Sequence, residues 1–353
     1  MNTEFGNTPT VGIEEEFLLV DPGTGSPVAK NTEVAHQAGQ RGVDLQVELT
    51  SCQVETATGV LSSRDEMLQE ITRLRRTTAE AAAAAGATLL AVALPPTVPH
   101  VFPITDKPRY HRIAQEFGMI AHEQGISGCH VHVEVPDQDA AVRVCTRLRP
   151  WLPLLLALSA NSAIYRNTDT GYASWRHILW ARWPSAGPPP VLESEAEYEA
   201  TVAEMQVAGA ILDGGMVYWD ARPSAKFPTV EIRVADVPST AAETVLLATL
   251  VRGAVMTALH HPEATRTITD HTLRAAYWRC ARDGLEGRMP ALLSAFVSEL
   301  RPALEAAGDY DYAVGELERI VADGNGAMRQ RRAWRRRGDI DDVLTDVAEA
   351  TVR

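Results

Sequence analysis

Polar and apolar residues alternate with period two in several short stretches, and four of these carry most of the chain's information. In residues 12–20, GIEEEFLLV, Glu14 and Glu16 fall on one face of a strand, with Ile13, Phe17 and Leu19 on the other. In residues 128–135, GCHVHVEV, His130, His132 and Glu134 share a face and Cys129, Val131, Val133 and Val135 line its reverse. In residues 229–235, TVEIRVA, Glu231 and Arg233 point one way and Val230, Ile232 and Val234 the other. A fourth segment, residues 47–55, supplies Glu48 and then Gln53 with Glu55; the odd interval between 48 and 55 rules out one straight strand.

Between these strands the period changes to that of helices. Ser63 and Glu66 form a capping box, Met67, Ile71, Leu74 and Thr78 follow at helical spacing, and Gly86 ends the helix after an alanine run at 81–85. The pattern then predicts a strand over 88–94, a helix over 109–123, a strand over 127–135 and a helical region from Asp137, restarted at Pro150. Residues 165–190 read as a long loop rich in Gly, Pro, Arg and Trp, which at that length is expected to be functional. Strands near 216–219 and 229–235 precede an almost entirely helical C-terminal half. Strands early and helices late predict an α+β fold, not an alternating parallel sheet.

Composition narrows the partners. The chain has 353 residues, 45% of them hydrophobic, and a formal net charge of −13 from 33 basic and 46 acidic residues. That balance argues against nucleic acid or an anionic membrane as the main partner. The start lacks a basic and an apolar segment, and the most apolar stretch, 151–163, is short and interrupted by Pro153, so no leader or membrane span is predicted. Four scattered cysteines, with no CxxC pair, suit reduced thiols in a cytoplasmic protein.

An ordinary solvated sheet face mixes Lys, Thr, Ser and Arg, whereas these faces carry Glu and His and almost no Lys. If the strands are neighbours, five or six carboxylates converge. Two unit charges 4 Å apart repel by roughly 4 kcal/mol at an effective dielectric of about 20. A few such pairs rival the whole stability of a domain, about 5–15 kcal/mol. Either some carboxyls stay protonated or divalent cations sit among them. Oxygen-rich sites with an occasional imidazole suit Mg²⁺ or Mn²⁺ better than Zn²⁺, and magnesium sites are often completed by substrate phosphates. No Walker A or GxGxxG sequence is present, so ATP would be held by metals and arginines.

At these residues the chain resembles the glutamate–cysteine ligase type 2, or carboxylate–amine ligase, family of the glutamine synthetase-like superfamily. Collinear segments carry the resemblance across nearly the whole chain, among them GIEEEFLLVDPGTG at 12–25, VELTSCQVETAT at 47–58, GCHVHVEVPD at 128–137, DTGYASWR at 169–176, PTVEIRVADVP at 228–238 and RQRRAWRRRGD at 329–339. It implies a single ligase domain over residues 1–353, with a curved antiparallel sheet whose inner face holds the active site and helices packed outside. It also implies ATP, Mg²⁺ (or Mn²⁺), glutamate or a similar carboxylate, and an amine acceptor. Glu14, Glu16, Glu48, Glu55, His130 and Glu231 match the family's metal-binding positions, and Arg233 an arginine that contacts the transferring phosphoryl group. Glu134 departs from the family pattern, which often has Gly there.

The chemistry then expected is activation of the carboxylate by phosphorylation and attack by the amine. Arg233 and Arg222 would stabilise the phosphoryl oxygens, and Glu55 or Glu134 would take the amine's proton. His132 is either a further ligand or a hydrogen-bonded strand histidine. Tyr172 and Arg176 lie in the long loop, with Arg176 a candidate clamp for a substrate carboxylate or phosphate, or a structural tie. Trp278 and Arg282, one helical turn apart, are candidates to stack on adenine, or else core plus a surface charge. The arginines of 329–337 spread around a helix and suit salt bridging or the phosphate site more than RNA. Two rivals stand beside the ligase: a metal-dependent amide hydrolase, suggested by His130-x-His132, and a binder without turnover. Arginines and tryptophans of the long loop are candidates for a self-association surface.

Overall fold

The computed structural model describes residues 5–99, 101–260 and 268–353. Among the described residues nine strands form: β1 (Val11–Val20), β2 (Gln46–Val47), β3 (Gln53–Ala57), β4 (Thr88–Leu90), β5 (Gly128–Glu134), β6 (Ile164–Tyr165), β7 (Thr168–Asp169), β8 (Ala221–Pro223) and β9 (Thr229–Asp236). Seven make one antiparallel sheet in the order β2-β3-β1-β5-β9-β8, with β4 also paired to β1; β6 and β7 form a separate hairpin. After β9 every described element is a helix. The α+β expectation holds.

The apolar faces read from the sequence form the floor of the main core. Ile13, Val131, Val133, Val230, Ile232 and Val234 pack with Met67 and Ile71 of the Arg64–Ala84 helix and with the Ala241–His260 helix. Each such side chain, fully buried, contributes about 1.5–3 kcal/mol. Helices thus cover one face of the sheet and leave the Glu/His face to a cavity. The Ala241–His260 helix is long and apolar enough to cross a bilayer, but 83% of that window is buried inside the fold. It is a core helix. The four cysteines are buried and unpaired by disulfides.

The Ser63 capping box forms, and Met67, Ile71, Leu74 and Thr78 are all buried. Other boundaries shift for local reasons. The strand expected over 88–94 stops at Leu90; beyond it the chain bonds singly, Ala91 N–H to the Thr351 hydroxyl (2.8 Å) and Ala93 N–H to Asn161 O (3.2 Å). The helix expected over 109–123 breaks at Gly118, φ +52°, into Pro108–Phe117 and Met119–His122. The next helices are Gln138–Leu148, capped by Asp137, and Leu152–Ser159, whose first turn tolerates Pro153. The long loop contains the β6–β7 hairpin and a short helix, Trp175–Trp180, capped by Ser174. No strand forms over 216–219: Asp213 caps a 3-10 turn at Gly214–Met216, and pairing with β9 starts at Ala221.

Candidate active site

Strand register brings the acidic residues together. Glu14 lies opposite His130 across β1 and β5, Glu16 opposite Glu55 across β1 and β3, and His132 opposite Glu231 across β5 and β9. Their side chains enter one cavity of about 940 Å³, which Glu48, Arg176, Arg222 and Arg233 also line. His130 Nδ1 stands 3.1 Å from Glu14 Oε2 and 3.9 Å from Glu231 Oε1, and His132 Nε2 is 3.5 Å from Glu14 Oε1. The Gly128 N–H donates to Glu16 Oε2 at 2.6 Å. Arg222 Nε donates to Glu231 Oε2 at 2.6 Å, and Arg233 pairs with the other oxygen of the same carboxylate.

These contacts divide the carboxyls into two groups. Burial raises the pKa of Glu14, but hydrogen bonds and charge from His130 and His132 outweigh it and hold the group well below the usual range. Burial of Glu231 is likewise overcome, by the guanidiniums of Arg233 and Arg222. Glu16, Glu48 and Glu55 behave in the opposite way. Burial pushes Glu16 and Glu48 up, and Glu55 rises furthest, through burial and then the neighbouring charges of Glu48, Glu14 and Glu16.

Five carboxyls therefore share the cavity with the guanidiniums of Arg176, Arg222 and Arg233; Arg222 and Arg233 pair with Glu231, and among the described residues Glu16, Glu48 and Glu55 have no ion-pair partner of their own. Donor atoms of Glu14, His130 and Glu231 lie within 4.8 Å of one another, as do those of Glu16, Glu55 and His130. This oxygen-rich set with one shared imidazole fits Mg²⁺ or Mn²⁺.

Arg176 is buried on the Trp175–Trp180 helix. Its Nη1 and Nη2 make long contacts with Val234 O (3.3 Å) and Arg233 O (3.4 Å), and its Nε has no protein partner. The close approach explains Gly128: a Cβ there would come within 2.6 Å of Arg176 Nη2. Asp236, at the end of β9, holds this corner in place. It accepts from Asn161 N–H, Ser162 Oγ and Ser174 Oγ, each at 2.8 Å, so the segment 161–176 is tied to the strand that carries Glu231 and Arg233. Sequence reasoning missed Asp236; its position just past the alternating run of β9 was the available signal. It also missed Tyr110, Trp180, Trp183 and Tyr218, which wall one end of the cavity.

Tyr172, Trp278 and Arg282 do not line the cavity. The Asp270–Asp283 helix packs against Leu152–Ser159, leaving Trp278 at the surface with Arg282 over its ring (4.7 Å) and its Nε1–H donating to the Tyr172 hydroxyl (3.2 Å). Trp278, 44% exposed, is not a core residue either, so the alternative of core plus a surface charge does not describe the pair. The arginines of 329–337 are also outside the cavity: Arg329 pairs with Glu243 (2.6 Å), Arg331 with Asp169 (3.2 Å) and Arg337 with Asp342 (2.5 Å). Among the described residues only His130 and His132 bring imidazoles to the cavity, too few for the hydrolase pattern.

The model of glutamate–cysteine ligase family 2 matches residues 10–346. The chain belongs to that family. It is 62% identical over 361 residues to "Putative glutamate--cysteine ligase 2-3" of Mycolicibacterium smegmatis, covering 98% of this chain and 99% of that one. It is 44% identical over 363 residues to "Putative glutamate--cysteine ligase 2" of Salinispora tropica, covering 98% and 96%. The fold is shared with glutamate–cysteine ligase of Francisella tularensis, solved with AMP: TM-score 0.70 at 16% identity, covering 98% of this chain and 88% of that one. It is also shared with a bifunctional glutathione synthetase of Pasteurella multocida, TM-score 0.71 at 15% identity, covering 97% and 52%. As a family member the protein is an ATP-dependent carboxylate–amine ligase.

Proposed function

We propose that this ligase joins the γ-carboxylate of glutamate to an amine through an acyl phosphate. A carboxylate is a poor acyl donor because its leaving group is oxide. Its oxygen attacks the γ-phosphorus of ATP and ADP departs, which converts that oxide into phosphate. The amine then attacks the acyl carbon, phosphate leaves, and the nitrogen loses one proton. Mg²⁺ or Mn²⁺, held by Glu14, Glu16, Glu48, Glu55, His130 and Glu231, would supply charge neutralisation for the phosphates.

The remaining roles belong to side chains already in place. Arg233, whose buried Nε lacks a partner, and Arg222 present guanidinium charge to the phosphoryl oxygens. Arg176, which lines the cavity, presents its guanidinium charge to a substrate anion. His132, bonded through Nδ1 to Thr229 Oγ1 (3.2 Å), orients Glu14. Glu55, opposite Glu16 in the acidic centre, would take the amine's proton on a carboxylate oxygen that the metal leaves free. Glu134 stands at the cavity mouth, too far along β5 for that task.

The observation that carries this reading is the Glu16–Glu55 cross-strand pair beside Glu14, His130 and Glu231, one cluster of carboxylates without enough positive charge. The test is phosphate release with ATP, Mg²⁺, glutamate and a panel of amines, with products identified by mass. Release should require all components, and Glu55→Gln should lower the rate by about 10²-fold or more, on the order of general-base loss. Unchanged turnover in that variant, or amide chemistry without nucleotide, would contradict it.

A further inference from the structure

Beyond the acidic centre the cavity runs to an open mouth whose chemistry differs from the centre's. His130, His132 and Glu134 take successive cavity-facing positions on β5, so at about 3.3 Å per residue Glu134 stands about 13 Å along the strand from His130. Its carboxylate is oriented: Thr10 donates to Oε2 from its backbone N–H (3.2 Å) and its hydroxyl (2.8 Å), which leaves Oε1 open. Among the described residues no cation pairs with it, although Lys226 lines the same mouth.

Val60 and Phe227 also line the mouth and are 78% and 61% exposed. Phe227 precedes Pro228, whose carbonyl accepts from the Val135 N–H, and Val60 adjoins the Val11–Leu61 bridge, so the two apolar side chains flank the end of β5 that carries Glu134. The combination is an apolar rim on either side of a fixed negative charge, well away from the reacting centre.

Resting on the ligase reading, we infer that the acceptor is an elongated amine with a second cationic group at its far end. Its nucleophilic nitrogen reaches the acidic centre, its apolar body follows β5 outward, and its distal end sits between Val60 and Phe227 with the cation at Glu134. A single α-amino acid spans about one 3.5 Å residue rise and cannot touch both places. The distal group does not react: the proximal nitrogen forms the C–N bond, phosphate leaves, and one proton passes to Glu55.

The test compares three acceptors with saturating ATP, Mg²⁺ and glutamate: 1,8-diaminooctane, octylamine, which has the same chain without the second charge, and cysteine. The wild type should favour the diamine over octylamine by about fivefold in kcat/KM, or ~1 kcal/mol at about 1.4 kcal/mol per tenfold. Glu134→Gln keeps the side chain's size and its bond from Thr10; it should raise KM for the diamine about fivefold and leave kcat and the KM for ATP and octylamine unchanged. Continued phosphate release with an unchanged diamine-to-octylamine ratio, or preference for cysteine over both, would overturn this inference alone. No ATP-dependent release with any acceptor would overturn the ligase reading together with it.

Discussion

Glu14, Glu15 and Glu16 are consecutive and chemically identical, yet the strand sends them to opposite fates. Glu14 and Glu16 enter the cavity, while Glu15 is turned into the core and fully buried. There Arg75 meets it fork to fork (Nη2–Oε1 2.6 Å, Nε–Oε2 3.0 Å), and the Thr244 hydroxyl adds a third bond at 2.6 Å. Removing one partner of such a pair leaves an uncompensated buried charge. Arg75→Met should therefore destabilise the protein by roughly 3–5 kcal/mol in urea unfolding; a loss below ~1 kcal/mol would show that the pair is not held as described. Alternation alone was enough to place Glu14, Glu16, His130, Glu231 and Arg233 on the cavity faces. The same rule puts Glu15 between Ile13 and Phe17, and Arg75 beside Leu74 on a buried helix face, but a pairing 60 residues apart is fixed only by how helix and sheet pack.

At the scale of elements, those that build their own signal were legible and those built by contacts were not. The Arg64–Ala84 helix carries its cap, its apolar stripe and its stop within one stretch of sequence. The Trp175–Trp180 helix and the β6–β7 hairpin have no such periodicity; Ser162 and Ser174, both bonded to Asp236, fix them from outside. This explains why the loop over 165–190 concealed an element that delivers Arg176 and Trp180 to the cavity. The packing is tight enough to test. Gly128→Ala would press a methyl group on Arg176 Nη2 and should lower kcat/KM by at least tenfold while the protein remains folded, since the guanidinium end can shift. Wild-type activity in that variant would show that the position of Arg176 does not matter to turnover. Replacing the cap by Ser63→Ala should cost about 1 kcal/mol of stability and leave kcat unchanged.

Over the whole molecule, one sheet divides two environments: a helix-covered core on one side and a charged cavity on the other. Its acid sensitivity includes a contribution from a histidine outside the cavity lining. His177, stacked on Tyr277 (ring centres 5.0 Å apart), has its pKa lowered to about 4 by burial and the nearby Arg176 charge. Between about pH 6.5 and 4 the unfolded chain takes up this proton and the folded chain does not. The resulting stability is complete above about 6.5 and is lost as pH falls towards 4, at most ~3 kcal/mol. His177→Phe keeps the stacked ring and should flatten that part of the stability–pH curve; an unchanged slope would refute the assignment. The central claim concerns the other side of the sheet, where Arg222 and Arg233 pair with Glu231 and leave Glu16, Glu48 and Glu55 without an ion pair among the described residues. It is tested most directly by titrating Mn²⁺ into the nucleotide-free protein and following bound metal by electron paramagnetic resonance. Saturable binding by the wild type that weakens at least tenfold in both Glu16→Gln and Glu55→Gln is the predicted result, and equal binding by all three proteins would contradict it.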